Sequence, residues 1–147
     1  MVGPYEKPKV RLPGAGEAPG ISSSGKEALI VVKHTKMTLV NKLDFVASVG
    51  FGTGGDAREK LGLAGKGPIA VITDLCILRP DPVSRELEVA SIHSGVDRRT
   101  VADSTGWQIR FSQGCDVTRV PGPAELGVLC DLKARAATAH GVEGDEE

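Results

Sequence analysis

The stretch Arg11-Leu-Pro-Gly-Ala-Gly-Glu-Ala-Pro-Gly20 contains three glycines and two prolines, and it directly follows a strand-like run at residues 7–12. Glycine occurs where a chain must turn sharply or where its backbone must approach a ligand closely. A glycine-rich turn between a strand and a helix can direct several backbone N–H groups at one point. Such a point binds an anion, or the oxyanion that forms when an acyl carbonyl is attacked. The stretch therefore indicates a turn that binds an anion or an acyl group.

The composition is typical of a single globular domain. The chain has 147 residues, of which 40% are hydrophobic and 25% are charged, and this length allows a sizeable core. Because aromatic residues make up only 3%, the core must consist of Val, Ile, Leu and Ala. This favours a sheet covered by helices and argues against a stacking surface for single-stranded nucleic acid. The net charge of -1, without a basic cluster, argues against a nucleic-acid or anionic-membrane partner.

The three cysteines, Cys76, Cys115 and Cys130, indicate neither disulfides nor a metal site. Their number is odd and no C-x-x-C pair occurs, so we expect buried free thiols in a reducing cytoplasm. The first residues contain no basic and then apolar signal peptide. The longest apolar runs, residues 28–32 and 69–72, are too short to span a bilayer. The sequence therefore predicts a cytoplasmic protein without a metal.

The first half of the chain is predicted to alternate strands and short helices. A short helix at residues 22–27, capped by Ser22 or Ser23, precedes a continuous apolar run at residues 28–34. Such a run is typical of a strand that is buried on both faces. A second strand is predicted at residues 38–45. The glycine-rich loop at residues 50–55 is then followed by a helix at residues 57–61, which Asp56 caps and Gly62 ends.

The second half is predicted to contain a long strand, a hairpin and two helices. The strand runs from residue 69 to 73 and continues through residue 78. A turn at residues 79–86 leads into an alternating strand at residues 87–93. Asp97 caps the next helix, in which Val96 packs on Val101, and Gly106 ends it. The remaining predictions are a strand at residues 107–111, a loop at residues 113–122, and a helix from Pro123 with Leu126, Leu129, Leu132 (or Lys133) and Ala136 on one apolar face.

Two motifs carry a resemblance to a known family. The run Gly3-Pro-Tyr-Glu-Lys-Pro-Lys-Val-Arg-Leu-Pro-Gly-Ala-Gly16, with Ala18, resembles the G-x-G-G-A motif of class I (glutaconate-type) CoA-transferase β subunits. Glu17 stands where that family has its third glycine. The run His93-Ser-Gly-Val-Asp-Arg-Arg-Thr-Val-Ala-Asp-Ser-Thr-Gly-Trp107 is similar to the family's H-P-G-V-T-x-E-x-V-x-x-x-T-G-[FW]. The resemblance covers residues 2–141, with further landmarks at residues 42–45, 48–50 and 71–75.

The resemblance implies an α/β fold with a mixed sheet flanked by helices, like that of the CoA-transferase β subunit. One domain at residues 1–141 and a disordered acidic tail at residues 142–147 are expected. In the family, a glutamate attacks the acyl-CoA and gives an anhydride and then a glutamyl-CoA thioester. That glutamate lies upstream of the glycine motif, in an N-terminal half that this chain is expected to lack. The residues implied are Gly14, Ala15, Gly16, Glu17 and Ala18 for the oxyanion motif, and Ser48, Gly50, Phe51, Gly52 and Arg11 for the CoA cleft.

The resemblance also implies the substrates and partners. The chain would transfer CoA between an acyl-CoA and a short dicarboxylic or 3-oxo acid. A CoA thioester would be its substrate, and no permanently bound cofactor is expected. An α subunit would complete the cleft, and a hetero- or homo-oligomer would cover the strands exposed at the start of the chain. A thioester hydrolase of the same fold, acting on ring-cleavage products, and a non-catalytic binding module or remnant are the alternative functions.

Several residues allow a second interpretation. Glu17 could itself be the nucleophile, since nearby N–H groups would stabilise its carboxylate. The loop Gly50-Phe-Gly-Thr-Gly-Gly55 matches G-x-G-x-x-G, with Asp74 further along the chain, but the short helix predicted after it does not suit a dinucleotide site. Lys7, Lys9 and Arg11 could bind CoA phosphates or form a solvated edge. His93 is expected to bond backbone groups at a turn.

Overall fold

The computed structural model of the protein describes residues 17–140. It contains a five-stranded sheet in the order β1-β2-β3-β4-β5. The strands are β1 (Ala28–Val31), β2 (Pro68–Ile72), β3 (Cys76–Pro80), β4 (Leu87–Ile92) and β5 (Arg110–Val117). The helices are α1 (Ala18–Ser24), α2 (Ala57–Lys60), α3 (Arg98–Asp103) and α4 (Pro123–His140). The predicted α/β class with a mixed sheet is confirmed.

The sheet has an antiparallel centre and a parallel pair at each edge. β2 and β3, and β3 and β4, are antiparallel neighbours, whereas β1 runs parallel to β2 and β5 runs parallel to β4. A parallel pair needs a crossover rather than a tight turn. The crossovers are residues 32–67, which include the glycine-rich loop and α2, and residues 93–109, which include α3. The first crossover places the glycine-rich loop beside the β1 edge.

The core lies on the central hairpins and consists of small aliphatic side chains. Leu78, Val89, Val101 and Cys76 are completely buried, and Leu78 pairs with Val89 across β3 and β4. Val101 brings α3 onto the same cluster. Aliphatic residues therefore form the centre of the fold, as the low aromatic content predicts. Trp107 and Phe111 pack only at its margin.

Several local predictions are confirmed because the signal lies within a few residues. The side chain of Asp97 accepts a hydrogen bond from the backbone N–H of Thr100 at 2.7 Å, which satisfies one free donor at the start of α3. Val96 packs against the cluster that contains Val101. Gly62 follows α2 with a φ of 69°, a left-handed conformation that glycine adopts easily.

The first helix begins earlier than predicted. α1 starts at Ala18, so Ser22 and Ser23 lie inside it and do not cap it. Their hydroxyls donate instead to the carbonyl oxygen of Pro19, at 3.0 and 2.9 Å. Serine offers the backbone this local alternative, and a proline in the first turn suits a helix start. The prediction of a helix at residues 22–27 was therefore wrong in its bounds.

The prediction that the run at residues 28–34 is buried on both faces was wrong. β1 is shorter and lies at the edge of the sheet, where Leu29 is 62% exposed and Val31 is 76% exposed. The continuous apolar pattern indicates a strand but not what covers it. Among the described residues, β1 therefore has an open edge with exposed hydrophobic side chains.

The strand predicted at residues 38–45 does not form. Leu39 is buried, but its N–H donates to the Thr35 carbonyl oxygen at 2.8 Å in a turn. Its carbonyl oxygen accepts from the N–H of Gly106 at 2.8 Å. A Cβ on Gly106 would lie 2.5 Å from that oxygen, so only glycine permits this approach. A contact distant in sequence therefore replaces the pairing that the alternation predicts.

The long strand predicted from residue 69 to residue 78 is divided in two. The hydroxyl of Thr73 accepts hydrogen bonds from the N–H groups of Leu75 and Cys76, at 3.1 and 3.0 Å. These bonds close a turn of the kind that threonine side chains favour. β2 therefore ends at Ile72, and β3 returns antiparallel to it.

The C-terminal elements also differ from the predictions. β5 extends to Val117, so the strand at residues 107–111 and the loop at residues 113–122 were placed too early. α4 forms from Pro123, but its leucines are exposed, and Leu132 is 50% exposed. Cys76 is buried, whereas Cys115 is half-buried and Cys130 is exposed. The expectation of three buried thiols was therefore wrong for two of them.

Candidate functional site

The glycine-rich stretch is described from Glu17 onward. Glu17 is the N-cap residue of α1, with φ of -84° and ψ of -8°, and its exposed side chain makes no capping hydrogen bond. This backbone conformation is open to any residue, so a glutamate replaces the family's glycine without strain. The other predicted residues of this stretch lie outside the described residues, namely Arg11, Gly14, Ala15 and Gly16.

The first helix and the glycine-rich loop enclose a cavity of about 330 Å³, which we call the α1 cavity. Ala18 and Ser22 of α1 line it, together with Ser48 and Gly50 of the loop. Most of the remaining wall is hydrophobic and includes Leu29 of β1. The structure therefore brings together three of the residues predicted for the site, Ala18, Ser48 and Gly50.

Phe51 and Gly52 lie away from the α1 cavity. Phe51 lines a second cavity of about 440 Å³, which we call the arginine cavity. There the guanidinium carbon of Arg85 lies 5.6 Å from the centroid of the Phe51 ring, within the range of a cation–π contact. Gly52 is exposed, has a φ of 56°, and lines neither cavity. Its position suits a sharp turn of the loop.

A buried arginine joins the segments that surround the α1 cavity. Arg58 of α2 is only 5% exposed. Its guanidinium donates to three backbone carbonyl oxygens, those of Ser22 at 3.1 Å, Gly50 at 2.9 Å and Gly65 at 3.2 Å. One side chain thus connects the end of α1, the glycine-rich loop and the segment before β2. It fixes where Gly50 lies relative to the first helix.

The surroundings of Arg58 are built for a guanidinium. Among residues 17–140, no carboxylate lies within ion-pair distance of it. A buried cation therefore relies on carbonyl dipoles, which its planar fork of donors can reach in several directions. Gly67 leaves the necessary space, because a Cβ there would lie 2.9 Å from the Arg58 Nε atom.

A histidine–threonine cluster supports the turn between β2 and β3. His34 is buried, and its Nδ1 and Nε2 atoms each lie 3.0 Å from a hydroxyl, those of Thr73 and Thr105. The Thr105 hydroxyl donates to the Val101 carbonyl oxygen at 2.8 Å, so it accepts from a protonated Nε2. Burial lowers the pKa of His34, and the neighbouring Asp74 carboxylate opposes this only in part. His34 is therefore a neutral structural residue.

His93 and Asp74 also have structural partners. The Nε2 atom of His93 lies 2.9 Å from the Thr73 carbonyl oxygen, and its Nδ1 atom lies 3.0 Å from the Thr118 hydroxyl. This agrees with the expectation that His93 bonds backbone groups at a turn. Asp74 accepts from the N–H of His34 at 2.7 Å, which is the main cause of its lowered pKa. Asp74 is thus bonded within the protein, and the helix after the G-x-G-x-x-G string has only four residues.

Two other kinds of feature are absent from residues 17–140. No three His, Cys, Asp or Glu side chains lie together in this part of the chain as a metal ion would require. None of the helices in the same range has both the length and the apolar character needed to cross a bilayer.

The sequence patterns did not indicate Arg58, Arg79 or Arg85. Arg58 lies in a helix of four residues, which is too short for any periodicity to identify its buried side. Arg79 and Arg85 belong to a segment that was predicted only as a turn. The one available signal was the set of glycines on both sides of α2, because closely approaching backbones leave room for a large side chain to bridge them.

The comparisons with known proteins agree with this architecture. A family model described as coenzyme A transferase matches residues 1–104. The chain is 54% identical, over all of its 147 residues, to 56% of the β subunit of the 3-oxoadipate CoA-transferase of Pseudomonas knackmussii. It is 33% identical over 129 residues, 87% of the chain, to 48% of the β subunit of the glutaconate CoA-transferase of Acidaminococcus fermentans.

The solved structures give the same result. The crystal structure of glutaconate coenzyme A-transferase from Acidaminococcus fermentans matches with a TM-score of 0.72 and 32% identity, over 87% of this chain and 49% of that chain. IpdAB of Rhodococcus jostii RHA1 matches with a TM-score of 0.70 and 25% identity, over 87% and 51%. The chain spans about half the length of the curated relatives that it matches. Because the family model covers well over half of this sequence, the chain belongs to the coenzyme A transferase family.

Proposed function

We propose that this chain provides part of the β subunit of an enzyme that transfers CoA between an acyl-CoA and a short carboxylic acid. The observation that carries the proposal is the α1 cavity, where the end of the glycine-rich motif at Ala18 meets Ser48 and Gly50 of the second glycine-rich loop. Family membership and the similarity to a protein named as part of a 3-oxoadipate CoA-transferase support it. By analogy with that name, the acceptor is a short dicarboxylic or 3-oxo acid.

The lining of the α1 cavity suits the acyl part of a thioester. Hydrophobic residues of α1 and β1, including Ile21 and Leu29, form most of its wall. Polar groups reach it mainly from Ser22 and Ser48. We propose that backbone N–H groups of residues 14–18 stabilise the oxyanion, since donors fixed in place before the reaction stabilise developing charge strongly.

The reaction proceeds by covalent steps that balance. A carboxylate oxygen attacks the thioester carbon and the C–S bond breaks, which gives an anhydride and CoA thiolate. The thiolate attacks the enzyme's carbonyl carbon of the anhydride, releasing the first acid and leaving a glutamyl-CoA thioester. A second carboxylate then takes the CoA by the same two steps in reverse. Each step replaces one difficult transfer by easier ones. We propose that the attacking glutamate is not Glu17.

We propose that an α subunit is the partner of this chain. Both curated relatives are named as one subunit of a CoA-transferase, which implies a second. β1 and α4 carry exposed hydrophobic side chains, among them Leu29, Val31 and Leu132. An exposed sheet edge with such residues is a liability that proteins normally cover. A subunit interface would cover it here.

A transfer assay tests the proposed function. The purified chain is mixed with the α subunit of a 3-oxoadipate CoA-transferase, with succinyl-CoA or acetyl-CoA as donor and 3-oxoadipate or glutaconate as acceptor. We expect a new acyl-CoA, and borohydride should trap a glutamyl-CoA thioester. Release of free CoA without a new acyl-CoA would instead indicate a thioester hydrolase. If neither product forms, the proposal is wrong and a non-catalytic role is favoured.

Replacement of Glu17 separates the two interpretations of this residue. Because its side chain is exposed and makes no capping hydrogen bond, we expect Glu17→Gly to change kcat by less than about threefold, within about 0.7 kcal/mol of barrier. Glu17→Gln, which removes the charge and keeps the size, is the matched control. A loss of about a hundredfold or more in both variants, with the trapped adduct on Glu17 in the unchanged protein, would identify Glu17 as the nucleophile.

A further inference from the structure

The arginine cavity carries an excess of positive charge. Four cationic side chains line it, and Glu59 is the one carboxylate on its wall among the described residues. The cations are Arg58, Lys66, Arg79 and Arg85. Positive charges concentrated in a concave surface raise the local concentration of anions. The cavity therefore has the electrostatic character of an anion site.

Two of these cations are already engaged. The guanidinium of Arg58 is directed at backbone carbonyl oxygens, and the Nζ atom of Lys66 lies 2.6 Å from a carboxylate oxygen of Glu27. Arg79 and Arg85 differ from them, because within residues 17–140 neither forms an ion pair. These two guanidiniums are available to an anionic ligand. Such groups recognise phosphates particularly well, with paired donors.

The structure holds Arg85 in place over the cavity. Its φ of 65° is left-handed, which non-glycine residues adopt only where their surroundings impose it. The preceding turn is fixed by Asp81, whose carboxylate accepts from the N–H of Ser84 at 2.6 Å. The carbonyl oxygen of Ser84 accepts in turn from the N–H of Gly55 at 3.3 Å. The turn is thus bonded to the glycine-rich loop, and Arg85 lies over Phe51 of that loop.

The arginine cavity adjoins the α1 cavity. Pro68 lines both of them, and the consecutive residues Gly50 and Phe51 face one each. A long ligand can therefore place its reacting end in the hydrophobic α1 cavity and its charged end among the arginines. An acyl-CoA has this form, with an acyl thioester at one end and a phosphate-bearing nucleotide at the other.

We propose that the arginine cavity binds the phosphorylated nucleotide end of the acyl-CoA through Arg79 and Arg85, with Phe51 as an aromatic wall. This assignment rests on the proposed function for the identity of its ligand. The phosphates replace water around the two guanidiniums and form charge-assisted hydrogen bonds with them. Most of the affinity gained there is binding energy that the thioester end does not supply.

Calorimetry with adenosine 3′,5′-bisphosphate tests the site directly. The probe is titrated into the chain in complex with the α subunit, at low and at moderate salt. We expect binding that weakens with salt, and a Kd raised at least about tenfold in Arg79→Gln/Arg85→Gln, since hydrogen bonds to charged groups are the strong ones. The matched control is Arg99→Gln/Arg135→Gln, which removes the same charge from α3 and α4, where both arginines are exposed and paired.

Transfer kinetics give a second readout. In the Arg79→Gln/Arg85→Gln variant, KM for acyl-CoA should rise at least about tenfold, whereas the rate with the corresponding S-acyl-pantetheine, which lacks the phosphates, should not change. Absence of probe binding to the unchanged protein, or equal weakening in the control variant, overturns the proposal. Failure of the proposed function is recognised separately, because the bisphosphate would still bind while no acyl-CoA is transferred.

Discussion

Replacing Arg58 by methionine is expected to lower the free energy of unfolding of this chain by about 3 kcal/mol or more. Methionine fills much of the space of the arginine stem but has no donors. The carbonyl oxygens of Ser22, Gly50 and Gly65, which now accept from the guanidinium, would lose their partner. Each buried polar group left without a hydrogen bond costs about 1–3 kcal/mol. Denaturant unfolding followed by circular dichroism measures the change.

The matched control for Arg58 is Lys60→Met, in the same short helix. Lys60 is exposed and forms only an exposed ion pair with Asp56, and such pairs contribute about 0–1 kcal/mol. The two substitutions therefore share their product residue and their loss of charge, and they differ in burial. Equal changes in the two variants would contradict the role of Arg58 as the connection between α1 and the glycine-rich loop. Arg58→Lys should recover only a part of the loss, because one ammonium cannot reach all three carbonyl oxygens.

Truncating Leu78 to alanine is expected to destabilise the chain by about 2–5 kcal/mol. Leu78 is completely buried in β3, opposite Val89 of β4 and within the cluster that includes Val101. Alanine would leave a cavity between the central hairpins, and the surrounding strands could close it only partly. The midpoint and slope of denaturant unfolding give the free-energy change.

Leu132→Ala is the comparison for this substitution. Leu132 belongs to the face of α4 that the sequence marks as apolar, yet it is 50% exposed. Because alanine is a better helix former than leucine, we expect a change within about 0.5 kcal/mol in the isolated chain. A large loss at Leu132 together with a small one at Leu78 would show that the core lies under α4 and not on the central hairpins.

The sequence predicted best those features whose causes lie within a few residues. Asp97 caps α3 as predicted, because an N-cap depends only on the residues that follow it. The alternating run of β4 was placed correctly for the same reason, since its two faces have different surroundings. The family resemblance added the glycine motif and its chemistry, and the family itself is confirmed.

The remaining features depend on contacts between distant residues. Leu39 lies in a turn because Gly106, far along the chain, bonds to its carbonyl oxygen. β1 has the composition of an interior strand, yet its place at the edge of the sheet is set by the topology. Arg58 is buried because three backbone segments meet around it, and no periodicity in a four-residue helix records that. The assignment of residues 14–18 and 48–52 to a site remains a prediction.

The topology of the sheet also determines where it opens most easily. The central strands are joined by short turns, but β1 is tied to β2 only across the crossover of residues 32–67. Edge segments with few buried contacts open locally at a lower free energy than the centre. The amide of Val32, bonded to Ile72, should therefore exchange with deuterium faster than that of Thr73, bonded to Cys76. Equal rates would mean that the sheet opens as one unit. A yielding β1 gives the α1 cavity a wall that can part to admit a bulky acyl group while the rest of the sheet stays intact.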